Sequence, residues 1–455
     1  MDISRFFLSL RLPLLTVTLG LFLAACGGSS GSTPAATTGT FGLFITDKPS
    51  DDFAEINLDV TQAVLIGGDD SQQVLFDVAD GDDPREIDLL DLTNFNEPIV
   101  FGEVAVGTYT KLRLYIDNLE LVPLPDPENP GADIESIFIE NLPANGKIDL
   151  LDQDGFDILP DTTLLGEVDI DANKSIKITG AGNSRKYNFR PVVKVQFSSD
   201  GAEQKLTRIE GFVSDALDPA GSFALCASPG GDNCVDVMTG IDTSFFDVAG
   251  LPTDFTGVAL ESPVVVIGRY QVDPDIVLDA IVVEIGGTAA QVKGEVVTDP
   301  LNEPFLLLAE DDSTLTVDLQ ENTKYFSAAG EVQADSVVLG ADVEIEGVFP
   351  DPDQIRAALV FVEAPDDEQV SGTINGPVDT GAGTFDLLLG DGVTVVMVTV
   401  ADDPVILLVN EVASEVTQGL VGDLADGQSV DLFGITPAEG TFTASEIIVD
   451  VTPAP

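Results

Sequence analysis

Three stretches in the second half of the chain begin alike: Ile209-Glu-Gly211-Phe-Val213, Val292-Lys-Gly294-Glu-Val296 and Val370-Ser-Gly372-Thr-Ile374. In each stretch a central glycine has a β-branched residue two positions away on either side. The three glycines are 83 and 78 residues apart. Because similarity at a nearly constant spacing is the sign of an internal repeat, we predict three related units of about eighty residues each.

Two further anchors follow in the same order in each unit. A strand-like segment ends in a glycine, and an alanine stands ten to twelve residues later, before a closing apolar segment. The glycines are Gly268, Gly347 and Gly434, and the alanines are Ala280, Ala357 and Ala444. A glycine inside a strand marks a bulge or a close approach of two backbones, which the curvature of a small barrel requires. We therefore predict small β-barrels at residues 205–287, 288–364 and 367–452.

Residues 41–199 contain a different set of short alternating segments. Phe41-Gly-Leu-Phe-Ile-Thr46, Glu55-Ile-Asn-Leu-Asp-Val60 and Thr110-Lys-Leu-Arg-Leu-Tyr-Ile116 each place apolar residues at every second position. Turns rich in Asp, Gly and Pro separate them. Since strands at such short spacing are typical of a sandwich, we predict an all-β protein with a β-sandwich at residues 41–199 in front of the barrels.

The first 25 residues predict an export signal. Arg5 and Arg11 precede an apolar core of about ten residues, which is too short to span a bilayer roughly 30 Å thick. The core ends in Leu23-Ala24-Ala25-Cys26, which resembles the lipobox of bacterial lipoproteins. The resemblance implies that the thiol of Cys26 is acylated and that the chain is cut between Ala25 and Cys26.

The segment after the signal, residues 26–40, is rich in Gly, Ser, Thr and Ala and predicts a flexible, lipidated tether. Gly27 follows the cysteine where an aspartate would retain a lipoprotein in the inner membrane. The lipoprotein resemblance therefore implies a cell-envelope protein anchored in the outer membrane of a Gram-negative bacterium. The lipid would be its contact with the membrane.

Two family resemblances refine the fold. The N-terminal part resembles domain-of-unknown-function family 4382, which occurs in bacterial envelope lipoproteins; the motifs are Thr46-Asp47-Lys48-Pro49, Gly107-x-Tyr109 and Tyr187-x-Phe189-x-Pro191-Val192. The family typically has Ala where this chain has Lys48, and the resemblance implies no catalytic residue. The repeats resemble domain-of-unknown-function family 5666. By analogy, this implies that each repeat is a small OB-like barrel of five to six strands.

The composition limits the chemistry of the folded part. The net charge is −60, and the chain has neither His nor Trp and only 5 Tyr. Such an acidic surface repels nucleic acid, and an OB-like barrel without basic grooves and stacking aromatics does not bind it. Without imidazole, Ser-His-Asp catalysis and His-ligated zinc are excluded, whereas chemistry based on carboxylates alone stays open. Acids spread along the whole chain are typical of a surface solvated in salt, and the alternative is binding of cations or of a basic partner.

The other two cysteines, Cys226 and Cys234, flank Ala-Ser-Pro-Gly-Gly-Asp-Asn. Apolar segments lie on both sides, so we predict a hairpin with a long tip. Outside the cytoplasm a structural disulfide between its ends is expected. A metal or redox pair is the alternative, but the C-x-x-C spacing and the partner ligands are missing.

Two acidic stretches are the candidates for a metal site. They run from Asp77 to Asp83 and from Asp149 to Asp157, and we predict that both are turns. Their candidate ligands for calcium are Asp80, Asp82, Asp83, Asp152, Asp154 and Asp157. Calcium prefers six to eight oxygen ligands, which acidic turns supply. Neither stretch has the distal Glu that completes an EF-hand loop, and solvated turn acids are the alternative reading. No other cofactor is expected.

These observations predict a non-enzymatic, lipid-anchored protein whose folded part forms a rod-like binding or scaffold module. An envelope protein or a glycan is the expected kind of partner. One alternative is a calcium- or polysaccharide-binding surface module. The other is a hydrolase that uses two facing carboxylates, for which the sequence offers no specific signal.

Overall fold

The structure is a computed structural model. It describes residues 37–48, 53–78, 84–124, 134–139, 142, 145–179, 186–199, 205–218, 221–231, 234–272, 276–287, 289–298, 300, 304–309, 313–363, 368–410, 415–435 and 441–451. The description is of a protein built almost entirely from β-strands. Among these residues, no helix has both the length and the apolar character that crossing a membrane would need.

The N-terminal unit contains twelve described strands, one short α-helix and a 3-10 helix at Leu89–Leu92. They are β1 (Thr38–Lys48), β2 (Phe53–Gly67), β3 (Gln72–Asp77), β4 (Arg85–Asp88), β5 (Phe95–Ala105), β6 (Gly107–Pro123), β7 (Ile137–Phe138), β8 (Lys147–Ile158), β9 (Thr163–Asp171), α1 (Ala172–Ser175), β10 (Ile176–Thr179), β11 (Lys186–Phe189) and β12 (Val193–Ser198). Strand β1 starts at Thr38, inside the segment predicted as a tether.

Two sheets of this unit face each other. One has the order β12-β9-β1-β5, and the other has the order β8-β6-β2-β3, with β4 also on β2 and β7 on β6. The alternation read from the sequence sends Phe41, Leu43 and Ile45 into the space between the sheets, where they meet Leu58 and Leu112. The predicted β-sandwich is confirmed.

The three repeats have the same order of elements. Repeat 1 consists of β13 (Leu206–Asp218), β14 (Ser222–Cys226), β15 (Cys234–Phe246), β16 (Pro252–Thr253), β17 (Pro263–Gln271) and β18 (Val277–Ile285). Repeat 2 consists of β19 (Ala289–Val296), β20 (Phe305–Ala309), β21 (Thr314–Ser327), β22 (Gly330–Glu331), β23 (Asp342–Asp351) and β24 (Gln354–Val362). Repeat 3 consists of β25 (Glu368–Ile374), β26 (Thr384–Leu389), β27 (Val395–Asn410), β28 (Glu415–Gln418), β29 (Ser429–Ile435) and β30 (Phe442–Asp450).

Five long strands of each repeat close into a barrel. In repeat 2, β19 pairs with β20, β20 with β21, β21 runs parallel to β24, β24 pairs with β23, and β23 returns to β19. The short fourth strand is an arm on the third, and a 3-10 turn follows it. Repeats 1 and 3 pair in the same order. This order closes a five-stranded barrel and confirms the prediction of small OB-like barrels.

The glycine and alanine anchors meet at one place in each barrel. Gly347 lies at a register shift in β23 and pairs with Ala357 on β24. A Cβ atom on Gly347 would collide with the carbonyl group of Arg356. Gly268 pairs with Ala280 and Gly434 with Ala444 at equivalent bulges. The repeated pair therefore marks the point where two strands come too close for a larger side chain.

The barrels attach to the sandwich through two parallel strand pairs. Leu206 of β13 pairs with Phe95 of β5, so repeat 1 extends one sheet of the sandwich. Leu151 of β8 pairs with Thr417 of β28, so repeat 3 extends the other sheet. The last repeat therefore returns to the first unit, an arrangement that the expectation of a rod-like module did not include.

Candidate functional site

The lipidation site lies outside the residues that the structure describes. Ala25, Cys26 and the whole signal segment 1–25 are among the undescribed residues. Acylation and cleavage at Cys26 therefore stay predictions.

The cysteine pair of repeat 1 forms the expected disulfide. Cys226 ends β14, Cys234 begins β15, and the two residues are register partners as well as bonded through sulfur. Cys226 is buried and Cys234 is exposed. The bridge closes the tip of a hairpin, which is a structural position.

The calcium candidates are only partly visible. Asp80, Asp82 and Asp83 lie outside the described residues, as do the side chains of Asp152 and Asp154. The predicted turn at residues 149–157 is instead part of strand β8. Residues 149–151 and 156–157 pair with β6, and a register shift separates these two paired parts. Asp157, on that strand, is exposed and accepts a hydrogen bond of 2.6 Å from the Thr108 hydroxyl.

A nearby acid, Asp149, is used in an ion pair. Its carboxylate accepts hydrogen bonds from Arg113 and, at 2.8 Å, from Lys111 on β6. Burial raises the pKa of Asp149, but these two cations outweigh burial and lower it. Within the described part of the chain, no group of three or more acidic or cysteine side chains is arranged to hold a metal ion. The calcium hypothesis stays a prediction.

A set of buried and half-buried polar side chains lies where repeat 2 meets repeat 1 and the sandwich. We call it the acid seam; its members are Asn94, Arg208, Glu284, Lys293, Glu344 and Glu346. Arg208 on β13 donates from Nε and Nη2 to the two carboxylate oxygens of Glu346 on β23, at 2.9 and 3.1 Å. Arg208 also donates to Glu210 at 2.8 Å. A two-pronged contact of this kind fixes the relative position of the two barrels.

The sandwich contacts repeat 2 through the segment between β4 and β5. Asn94 donates to Glu344 at 2.5 Å. Lys293 on β19 donates to the carbonyl of Leu90 at 3.0 Å and to the hydroxyl of Thr93 at 2.9 Å. Three units of the fold therefore meet at this seam.

Burial favours the protonated form of the acids in the seam. In the ionised form, neither oxygen of Glu284 would have a donor among the described residues. A proton shared with Glu346 supplies that donor. Burial, then repulsion by Glu346, raises the pKa of Glu284 well above its usual range. Burial also raises the pKa of Glu344 to about 7, against the lowering effect of Lys293 and Asn94. Near neutral pH the seam therefore holds carboxylic acids as well as carboxylates.

An apolar cluster backs the acid seam. It brings together outward-facing side chains of repeats 1 and 2 with one residue of the sandwich: Phe95, Leu206, Phe246, Val265, Ile267, Val282, Phe326, Ala358, Leu359 and Phe361. Strands β17, β18 and β24 are thus buried on both faces, once by their own barrel and once by this cluster. Two-sided burial explains why these strands read as continuous apolar runs rather than as alternation.

Repeat 3 meets the sandwich through a second polar contact, the lysine seam, formed by Asp171, Lys174, Phe433 and Glu446. The Nζ of Lys174 lies 2.8 Å from Asp171 and 2.9 Å from Glu446. It also lies 3.6 Å from the centre of the Phe433 ring. Here a buried cation is surrounded by two acids and an aromatic face, so its charge is compensated on several sides.

The Thr46-Asp47 motif lies between the two seams. The Thr46 hydroxyl donates to the carbonyls of Leu92 and Phe95, at 3.0 and 2.8 Å. The Asp47 carboxylate accepts from the backbone N–H of Ala172 at 2.8 Å. Lys205, in the link to repeat 1, donates to the carbonyl of Asp47 at 2.8 Å. The motif therefore ties the end of β1 to the segments that carry the neighbouring units.

Sequence analysis did not single out the seam residues. Glu344 and Glu346 alternate with buried Val343 and Ile345, which reads as a strand with one solvated face. A comparison of the repeats with one another, however, does indicate that this outer face is covered. At the positions equivalent to Glu344 and Glu346, three and one before the anchor glycine, repeat 1 has Val265 and Ile267. An apolar pair on that outward face indicates that the face is covered.

The fold and the seams define an all-β protein in which a sandwich and OB-like barrels share sheets and buried charged contacts. Residues 38–191, roughly a third of the chain, match the model of the family described as Domain of unknown function (DUF4382). This match confirms the predicted resemblance for the N-terminal part. No curated protein and no solved structure matches the chain.

Proposed function

We propose that this chain is a non-enzymatic lipoprotein of the cell envelope, anchored in the outer membrane of a Gram-negative bacterium through Cys26. Its folded part acts as a scaffold or binding module for an envelope protein or a glycan. Nucleic acid is not its partner, because the chain is too acidic. The resemblance of the repeats to family 5666 belongs to the same proposal.

The anchoring half of the proposal rests on the amino-terminal sequence. The lipobox-like Leu23-Ala24-Ala25-Cys26 precedes a stretch of small polar residues, and the first described strand starts at Thr38. Eleven residues separate Cys26 from that strand. Fully extended, they reach roughly 40 Å, so the folded part can stand clear of the lipid headgroups.

The scaffold half rests on how the units are joined. The sandwich shares one sheet with repeat 1 and the other with repeat 3. The charged groups of the two seams lie in contacts between units and bond to one another across them. A protein whose buried charges fix the geometry of its own domains is suited to presenting a surface. This observation carries the scaffold reading.

Metabolic labelling with a clickable palmitate tests the anchor. The full-length chain is expressed in a Gram-negative host, and label and membrane fractionation are compared with Cys26→Ser. We expect label only when Cys26 is present, and release of the Cys26→Ser form from membranes. A Cys226→Ser/Cys234→Ser double variant is the matched control, and it should keep its label. Unlabelled wild-type protein would overturn the anchor.

Binding measurements separate the scaffold from its rivals. Calorimetry with calcium and thermal shifts with a panel of envelope glycans should be compared on the full chain. A module with a protein partner gives neither heat nor a shift, whereas one with a glycan partner gives a thermal shift with that glycan and no heat with calcium. A saturable calcium response lost in Asp152→Asn/Asp154→Asn would instead support the surface-module reading.

A further inference from the structure

Repeat 2 is attached differently from the other two repeats. Repeats 1 and 3 are hydrogen-bonded strand to strand with the sandwich, whereas the strands of repeat 2 form a separate six-stranded sheet in the part of the chain that the structure describes. Side chains and single hydrogen bonds therefore hold repeat 2 in place. Apart from the acid seam and the apolar cluster, Arg356 donates to the carbonyl of Ala249 at 2.6 Å, and Ser244 donates to that of Asn322 at 2.8 Å.

The chain enters repeat 2 through a pair of glycines. Gly286 and Gly287 lie between β18 and β19, with φ angles of 114° and 60°. Both angles are in the region that glycine adopts without strain. Two adjacent residues of this kind can absorb a change in backbone direction, which is what a hinge between rigid units requires.

Acids outnumber cations at the seam. The charged and titratable groups that act on Glu284, Glu344 and Glu346, besides these acids themselves, are Arg208 and Glu210 on β13, Lys293 on β19 and Glu363 after β24. Asp91, in the segment 89–92, is acted on by the same two cations. If all the acids were ionised, Arg208 and Lys293 would be their only cations among these groups. Ionisation of all these acids would therefore leave the seam with an excess of negative charge.

We propose that repeat 2 is a proton-latched domain, which docks on repeat 1 and the sandwich while the acid seam is protonated and swings away on Gly286 and Gly287 when the seam acids ionise. Release uncovers the apolar cluster, including Phe326 and Leu359. The proposal concerns the folded part and does not depend on the lipid anchor.

The direction of the pH effect follows from linkage. A carboxyl group with a raised pKa binds a proton more tightly in the docked state than in the open state. Docking is therefore complete below the ordinary pKa of Glu, about 4.3, and weakens as the pH rises. For Glu344 the loss extends to about pH 7, and the raised pKa of Glu284 acts in the same direction. Each proton released lowers the ratio of docked to open molecules by up to about tenfold per pH unit.

A single introduced fluorophore tests the proposal, because the chain has no Trp. Phe326→Trp, in the full-length chain, places a Trp in the apolar cluster. We expect its emission to move to longer wavelength between pH 5 and pH 9, while the far-ultraviolet circular dichroism stays constant. Small-angle scattering of the Cys26→Ser form, which keeps Phe326, should show a larger radius of gyration at the higher pH.

Matched variants test whether ionisation of the seam acids causes these two pH responses. Adding Glu284→Gln and Glu344→Gln removes the ionisable groups but keeps their shape, and should abolish both pH responses. Glu331→Gln neutralises an exposed acid of the same repeat and should leave them intact. An emission maximum and radius that do not change with pH would overturn the proposal. So would a response that survives the double substitution, or one accompanied by loss of the circular dichroism signal.

Discussion

Repeats 2 and 3 form the same barrel, but they attach to the rest of the protein through different kinds of contact. On the penultimate strand, the two outward positions before the anchor glycine are Glu344 and Glu346 in repeat 2, and Asp431 and Phe433 in repeat 3. The first pair lies in a seam that needs protons. Phe433 instead lies against Lys174, whose charge is compensated at any pH at which its acids are ionised. We conclude that side chains facing the barrel interior specify the barrel, whereas side chains on its outer face specify how the barrel docks on its neighbours.

The largest expected effect comes from removing the cation of the lysine seam. Lys174→Met leaves Asp171 and Glu446 buried beside each other without a counter-charge. Breaking a buried ion pair from one side costs about 3–5 kcal/mol, so thermal unfolding at pH 7 should be strongly lowered. Lys324→Met, which removes a 3.7 Å contact with the exposed Glu331, is the control and should change stability by less than about 1 kcal/mol. Equal effects would contradict the role of the lysine seam.

The second prediction concerns the part that the repeats share. Gly434→Ala places a Cβ against the carbonyl of Thr443 at the bulge of repeat 3. Because backbone must move, we expect a loss of about 3 kcal/mol in denaturant unfolding. The same substitution at Gly422, which has open space around it, should be within about 0.5 kcal/mol of wild type. A tolerated Gly434→Ala would show that the bulge is not needed for closure.

The third prediction concerns the disulfide, which among the three repeats is present only in repeat 1. Replacing Cys226 and Cys234 by Ser opens a loop with a sequence separation of 8 residues. The chain-entropy estimate for so short a loop is about 2–3 kcal/mol. Hydrogen exchange should rise in β14 and β15 and remain unchanged in repeats 2 and 3. A uniform rise over the chain would mean that the three barrels unfold together.

The smallest expected effect is a change in stability at pH 8 that has opposite signs in the two seams. Glu344→Gln removes a group whose docked pKa is raised to about 7. Wild-type stability from this group is present below the ordinary pKa and lost as the pH rises, so the variant should gain roughly 1–2 kcal/mol over wild type at pH 8 and little at pH 4. Glu446→Gln should instead lose about 1–2 kcal/mol at pH 8, since it weakens a charge-assisted bond to Lys174. Thermal melting curves of both variants and of the wild type, at pH 4 and pH 8, measure these changes in stability.

Local patterns predicted the units but not their assembly. The alternation of Phe41, Leu43 and Ile45, and the recurring pair of Gly347 and Ala357, are consequences of side-chain direction and backbone contact within a few strands. Such features repeat in the sequence wherever the local geometry repeats. The acid seam joins residues more than a hundred positions apart, such as Asn94 and Glu344, and a lone alternating Glu looks the same whether water or another domain covers it.

The all-β class, the sandwich, the three barrels and the disulfide could therefore be predicted from the amino-acid sequence, because each depends on periodicity or close spacing along the chain. Three other features could be seen only in the tertiary structure. Repeat 3 returns to the sandwich, repeat 2 is held by side chains, and Glu284, Glu344 and Glu346 are buried. Those outcomes depend on which outward faces are covered. Coverage is a property of the assembled units, since desolvation of a carboxyl group arises only when another surface removes its water.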